Sequence, residues 1–378
     1  MERHIFYITF ISLLFCACSS SVTNVTNIAM DDSLIVVLDK EKVTEKRTVK
    51  LSEIVEDFQI IRFETKDESF FKANWMYFSD NYICIRQDGA PIKLFRKSGK
   101  YIGNVGGFGQ GPGEYQFIYD VLLDEKGKSI YVMPYVSDYV LQYDLTGKLI
   151  DKISFGEKLN KGRLFLSSND VLSVVHLAFR DLDCKFTGAN VQLQNKDSIQ
   201  YVYMEDLASN MTNEQGIRTG FDDEIWSYRN TSAFPFMMTH ADTLYHYDSQ
   251  KNIIQATFTM PVDQEKKGDC FFIFNEWPHY YFINVVGKNS MNILVDKELE
   301  MGYQVDFVND FMGNMKVYPR TQDGYFHQNW EPGALKEELE KTLSSGDCPE
   351  EQKEKLQNLM QTLHENDNNV LFIGKLKQ

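Results

Sequence analysis

Apolar residues along this chain come in short runs that end in polar, glycine-marked turns, the pattern of strands and hairpins. It is clearest over residues 95–150, where Phe95-Arg-Lys-Ser-Gly-Lys-Tyr-Ile102 and Tyr143-Asp-Leu-Thr-Gly-Lys-Leu-Ile150 are near-copies of one hairpin. In each copy an aromatic residue ends one strand, a polar turn reverses the chain and an apolar residue opens the next. Gly99 and Gly147 supply the positive φ such a turn needs. Weaker copies lie at Leu193-Gln-Asn-Lys-Asp-Ser-Ile-Gln200, Tyr247-Asp-Ser-Gln-Lys-Asn-Ile-Ile254 and Leu294-Val-Asp-Lys-Glu-Leu-Glu-Met301, giving start-to-start spacings of 48, 50, 54 and 47 residues. A period of about 50 with strand texture predicts the four-stranded blades of a propeller rather than a helical repeat.

The five hairpins predict five blades, over about 72–107, 115–155, 161–205, 219–260 and 268–308, with polar junctions near 206–218 and 261–268. Strand-like sequence remains at both ends: Gln59-Ile-Ile-Arg-Phe-Glu64 before the first blade, and Met315-Lys-Val-Tyr-Pro319, Gly324-Tyr-Phe-His327 and Val370-Leu-Phe-Ile-Gly-Lys-Leu376 after the fifth. Together they predict a sixth blade shared by the two termini, which closes the ring and leaves no free sheet edge. Within it, Leu335, Leu339 and Leu343, then Leu356, Leu359, Met360 and Leu363, recur at helical spacing. They predict a helical insertion over about 334–364 that packs against the ring, with Asp347 capping the second helix. The expected fold is therefore all-β, a six-bladed β-propeller closed by N- and C-terminal strands, with a small helical insertion near the C-terminus.

Three strings carry a resemblance. The loop Ile102-Gly-Asn-Val-Gly-Gly-Phe-Gly-Gln-Gly-Pro-Gly-Glu-Tyr115, the segment Leu51-Ser-Glu-Ile54 with Ile60-Ile-Arg-Phe-Glu64, and the tail Glu365-Asn-Asp-Asn-Asn-Val-Leu-Phe-Ile373 resemble the six-bladed, NHL/TolB-like propeller lipoproteins of Bacteroides-type bacteria. One departure is Asn368-Asn369, where tails of that family often read Asn-Pro. The resemblance implies the same fold and an envelope location; it brings no settled activity, and so no catalytic residue to carry over.

The N-terminus fits that location. Arg3 and His4 precede an apolar run from Ile5 to Ala17, too short to span a bilayer, and Cys18 closes it. Residues 1–18 are expected to be an export signal whose Cys18, in a string that resembles a lipobox, becomes the lipidated first residue; a plain secretory signal or short anchor is the alternative. Residues 19–33 are expected to be a flexible tether, with the propeller over 34–378. No acidic cluster directly follows Cys18, as resemblance to Bacteroides surface-export signals would require. The periplasmic face of the outer membrane is therefore expected, with membrane contact only through the lipid.

Composition removes some partners. With 54 acidic against 39 basic residues the formal charge is −15, which repels nucleic acid and anionic lipid. Beyond Cys18, four cysteines (Cys84, Cys184, Cys270 and Cys348) show no CxxC spacing, arguing against zinc and dithiol redox chemistry. Cys84 and Cys270 read as strand residues, and nothing demands a disulfide. The glycines of 106–113 lack the Lys-Ser/Thr of a phosphate loop, and Pro112 removes a donor; they read as a crossover between blades anchored by Glu114 and Tyr115. His240 and His246 stand six apart and are expected to diverge, Asp222 and Asp223 read as solvated turn carboxylates, and no GxSxG elbow occurs.

What remains is the propeller mouth, where inter-blade loops converge. The polar and aromatic residues expected there are Arg86, Arg163, Arg218, Tyr228, Arg229, Asn275, Glu276, Trp277, His279, Arg320 and Trp330. Within Asn275-Glu-Trp-Pro-His279, Trp and His beside an acid make an edge suited to a sugar or peptide, or else an ordinary turn with Trp277 packed inward. The arginines can clamp a carboxylate or pair with neighbouring acids. Three functions stay open: a binding module for a glycan, peptide or envelope protein; an enzyme like the six-bladed calcium-dependent lactonases, with Asn230, Asn275 and Glu276 as candidate calcium ligands; or a structural lipoprotein. No cofactor other than calcium is indicated.

Overall fold

Each of the five hairpins forms the turn between the third and fourth strands of a blade, which is why they recur at one period. The computed structural model describes residues 23–30, 33–73, 75–182, 186–218, 220–262, 270–288 and 290–378. The segment expected to be an export signal, with Cys18, together with Cys184 and most of the 261–268 junction, lies outside them.

In chain order, β1 (Val25–Met30), β2 (Ser33–Leu38), β3 (Lys46–Lys50), helix α1 (Leu51–Ile54) and β4 (Val55–Arg62) precede the first complete blade. That blade is β5 (Trp75–Phe78), β6 (Tyr82–Arg86), β7 (Ile92–Arg96) and β8 (Tyr101–Val105). A short parallel pair, β9 (Gly107–Phe108) and β10 (Glu114–Tyr115), pins the glycine loop. The second blade is β11 (Ile118–Asp124), β12 (Ser129–Pro134), β13 (Val136–Asp144) and β14 (Leu149–Asn160). The third is β15 (Arg163–Leu166), β16 (Val171–Val175), β17 (Gly188–Gln192) and β18 (Asn195–Val202). The fourth is β19 (Ile225–Trp226), β20 (Pro235–Met238), β21 (Thr243–Asp248) and β22 (Ile253–Thr259). The fifth is β23 (Phe271–Glu276), β24 (Tyr280–Val286), β25 (Met291–Asp296) and β26 (Met301–Asn309), extended by β27 (Met315–Val317).

The sixth blade orders β28 (Arg320–Gln322), β29 (Tyr325–Trp330), β30 (Val370–Leu376) and then β4. β30 runs antiparallel to β4, with Val370 opposite Arg62 and Phe372 opposite Ile60, so the two chain ends close the ring as the sequence predicts.

Three expectations need correction. The stretch read as a tether contributes β1, which pairs with β2; β2 in turn runs parallel to the outermost strand β22. Val25 and Leu38, opposite each other across the pair, are buried. Met315–Val317 joins β26 of the fifth blade, not the sixth. Asp347 does not cap a helix: its carbonyl accepts from Asn314 Nδ2, and the second insertion helix starts after Pro349.

That insertion, α2 (Pro332–Ser344) and α3 (Glu350–Gln361), leaves β29 directly after Trp330. Leu335, Leu339 and Leu356 are wholly buried in one apolar cluster with Phe307 and Phe372, so the helices fill the flank between blades five and six. The crossover loop is held as its sequence predicts. Glu114 Oε2 accepts from Gly111 N at 2.9 Å, and the Tyr115 hydroxyl donates to Val105 O and accepts from Ile92 N. Cys84 and Cys348 are buried and Cys270 half-buried, all as free thiols.

Candidate functional site

Buried ion pairs join the inner strands of the ring. Arg229 donates through Nη1 to Asp120 at 2.7 Å and through Nε to Asp323 at 2.7 Å, and Arg163 lies 3.4 Å from Asp120. Their remaining donors go to backbone: Arg229 to Val121 O and Leu164 O, Arg163 to Ile225 O. Asp323 also accepts from Phe78 N and Asp120 from Leu164 N. Beside them, Asn230 Nδ2, Asn275 Nδ2 and Trp277 Nε1 all donate to Thr321 Oγ1. Every inner strand therefore ties into one buried polar plug. Arg229 and Asp323 both take positive φ, 51° and 54°, uncommon for non-glycine residues, as the backbone turns these side chains into the channel. Burial raises the Asp323 carboxyl, although Arg229 draws it back down.

On one side of the plug lies a cavity of about 820 Å³ between blades one, four, five and six, within the size range of small-ligand sites. Its walls are aromatic. Trp75 opens β5; Trp226 and Tyr228, two apart and hence on one face, follow from blade four. Trp226 lies 6.3 Å from Trp75 and stacks on Tyr228 at 6.5 Å. The Arg86 and Arg163 guanidiniums sit 5.6 and 5.5 Å from the Trp75 ring, fixing it through cation–π contacts. Tyr318 and Phe282 complete the apolar surface with Trp330, which α2 holds at the end of β29.

The polar complement comes from Asn275, Asn284, Arg320, Gln322, His327, Gln328 and Asn329. Four buried polar atoms of lining residues have no hydrogen-bond partner: Trp226 Nε1, Trp330 Nε1, Gln328 Oε1 and Asn329 Oδ1. Leaving such atoms unpaired costs about 1–3 kcal/mol each. His327 is driven down to about 3, by burial first and then by the Arg320 charge, and is neutral near pH 7.

Of the residues singled out in the sequence, the fold brings Tyr228, Asn275, Arg320 and Trp330 to this mouth. Arg163 and Arg229 belong to the plug beneath it, and Arg86 braces Trp75 while donating to Tyr119 O. Arg218 is exposed on a separate hairpin bridged to Thr212. Trp277 is buried and stacked on Phe282, so the 275–279 string is the inward-packed turn rather than a binding edge. His279 lines a small separate cleft of about 160 Å³.

Glu276, adjacent to Asn275 on a strand, faces the other way. It is taken by His246 Nε2 at 2.5 Å and Lys297 Nζ at 2.8 Å. Burial opposes its charge, yet these two partners hold its carboxyl below the usual range. Asn230 Oδ1 accepts from Gly324 N, and Asn275 Oδ1 accepts from Asn230 Nδ2. The candidate calcium set thus does not converge, and its oxygens are occupied. His240 and His246 diverge, each to its own acid. Among the described residues no group of three or more His, Cys, Asp or Glu side chains is arranged to hold a metal ion.

Sequence reasoning missed Trp75, Trp226, Tyr318, His327, Gln328 and Asn329. The usable signal was an aromatic residue at or beside the start of an inner strand, present at Trp75, Trp226 and Tyr318.

Comparison with known proteins places this geometry among relatives. A solved protein of Bacteroides fragilis, named for its expected export, superposes with a TM-score of 0.61 at 17% identity, over 88% of this chain and 100% of that one. A DUF4221 member from Bacteroides vulgatus gives 0.45 at 10% identity, over 86% and 98%. An auxiliary nutrient binding protein of Bacteroides thetaiotaomicron gives 0.35 at 14%, over 65% and 64%. Only the first superposes closely enough to show a shared fold. No curated protein matches. The domain of unknown function DUF4934 matches residues 25–375, and the chain belongs to that family.

Proposed function

We propose that this protein is an exported, lipid-anchored binding propeller whose aromatic mouth holds a sugar. The observation that carries the reading is the pairing of flat indole and phenol faces with the unpartnered Trp226, Trp330, Gln328 and Asn329 atoms. A pyranose presents C–H faces for stacking, and its hydroxyls both donate and accept, so it suits a mouth that offers both indole donors and amide acceptors. Among the described lining residues there is no Asp or Glu, whereas sugar hydrolysis ordinarily uses two flanking carboxylates; this favours holding over cutting. The N-terminal signal ending in Cys18 supports anchoring at the periplasmic face of the outer membrane. Among the described residues no helix is long and apolar enough to cross a membrane.

A glycan array probed with the wild-type protein and with Trp226→Ala tests the reading. Retention of a defined set of glycans, lost in the variant, is expected. Retention of none, or equal retention by both proteins, contradicts it.

A further inference from the structure

We propose that the sugar bound at the mouth carries a carboxylate, as a uronic or sialic acid does, and that Arg320 is the residue that reads it. This rests on the sugar-binding reading above and names its ligand class.

The carrying observation is a local reversal of charge. Acids outnumber bases 54 to 39 in the chain, yet among the described residues lining this cavity none is Asp or Glu and the one charged side chain is Arg320. The funnel on the other side of the plug differs, since three acids, Asp80, Glu125 and Asp323, line it together with Lys126, Arg229 and Lys375.

Arg320 itself is uncommitted. It is exposed, and among the described residues it makes no ion pair or hydrogen bond through its side chain, unlike Arg163 and Arg229 in the plug below. It opens β28 opposite His327, and its charge is felt by Tyr228, Tyr318 and His327, three residues lining the cavity. Because His327 stays neutral, Arg320 is the one positively charged side chain among the described lining residues at neutral pH. A planar fork in a partly desolvated aromatic recess matches a carboxylate in two parallel hydrogen bonds, a geometry that a lysine ammonium cannot reproduce. The net negative chain disfavours long polyanions by repulsion, so the fitting ligand is a short segment or a chain end rather than a continuous polyanion.

The test is calorimetric titration of the full chain with di- and trisaccharides of galacturonate, glucuronate and mannuronate and with sialyllactose, each beside its methyl ester, which keeps the shape and removes the charge. Arg320→Gln and Arg320→Lys are titrated in parallel. At least one acid is expected to bind about ten- to a hundredfold tighter than its ester, the range of one charge-assisted contact. That advantage should shrink with added salt, vanish in Arg320→Gln and recover only in part in Arg320→Lys. Acids and esters binding alike, or an acid preference that survives in Arg320→Gln, overturns the proposal. Neutral sugars binding while no acid does overturns the carboxylate while leaving the sugar-binding mouth intact; no sugar of either kind binding overturns both.

Discussion

Arg229 Nη1 stands 2.7 Å from Asp120 Oδ2 although 109 residues of chain separate the two, and both are almost wholly buried. The pair joins blades two and four across the channel, with Arg163 of blade three on the same carboxylate. Removing one partner of a buried ion pair leaves an uncompensated charge, which costs about 3–5 kcal/mol. Asp120→Ala leaves Arg163 without an acid partner and Arg229 with Asp323 alone. It is expected to lower stability by at least that amount in urea unfolding, whereas Asp138→Ala, at an exposed position, stays within about 0.5 kcal/mol. Equal midpoints for the two variants would show that the plug does not hold the ring together.

The hairpin glycines predict a second effect. Gly99 and Gly147 have φ of +87° and +84°, and a Cβ at either would sit 2.0 Å from a backbone oxygen, of Arg62 and of Asn104 respectively. Each hairpin thus docks on the outermost strand of the preceding blade. Gly99→Ala and Gly147→Ala should each destabilise by more than about 1 kcal/mol, beyond the size of the gain that the same replacement brings at an unstrained site. Gly333→Ala, with open space around it and an ordinary φ, should be neutral or stabilising. Thermal melts of the three variants decide the matter.

Two histidines make stability depend on acidity. Burial lowers His176 to about 4, and burial with Arg320 lowers His327 to about 3, against 6.5 for a free imidazole. Both are neutral in the native protein at pH 5, and both take up a proton when it unfolds. Their contribution is complete above pH 6.5 and is lost as pH falls from there toward 4 and 3. His327→Gln should reduce the slope of unfolding free energy between pH 6 and 4.5 by nearly one proton, as read from urea titrations at each pH. An unchanged slope would mean that His327 is charged in the native state.

Anchoring is testable separately. Cys18→Ala is expected to abolish labelling by an acyl-chain probe and to move the protein from the membrane to the soluble fraction of the envelope. Wild-type protein that carries no acyl label would contradict the anchor.

The ring was legible because strand pairing is written locally. The turns at Gly99 and Gly147 repeat in sequence, and the apolar runs at Ile60 and Phe372 are strong enough to announce their pairing. The third-to-fourth-strand hairpin recurs with little change because it meets the same neighbour in each blade. The mouth was only half legible. Tyr228, Arg320 and Trp330 could be placed near it, but whether an arginine reads a ligand or braces a plug depends on which acids the ring carries across the channel. Asp120 and Asp323 lie far from Arg229 in sequence, and no spacing announces them. Asn275 and Glu276 failed as a pair for a simpler reason, since neighbours on a strand point to opposite faces. β1 was missed because a short Ser/Thr/Asn-rich stretch looks unstructured until β2, itself docked on the outer strand β22, offers it an edge.

The most direct measurement uses the site's own chromophores. Three of the four tryptophans of the chain, Trp75, Trp226 and Trp330, line the mouth, and the fourth, Trp277, is buried against Phe282. Titrating the protein with the oligosaccharides retained on an array should give a saturable change in tryptophan emission that disappears in Trp226→Ala and persists in Arg218→Ala. Emission that does not respond to any such sugar, or responds equally in Trp226→Ala, would contradict a sugar-binding mouth.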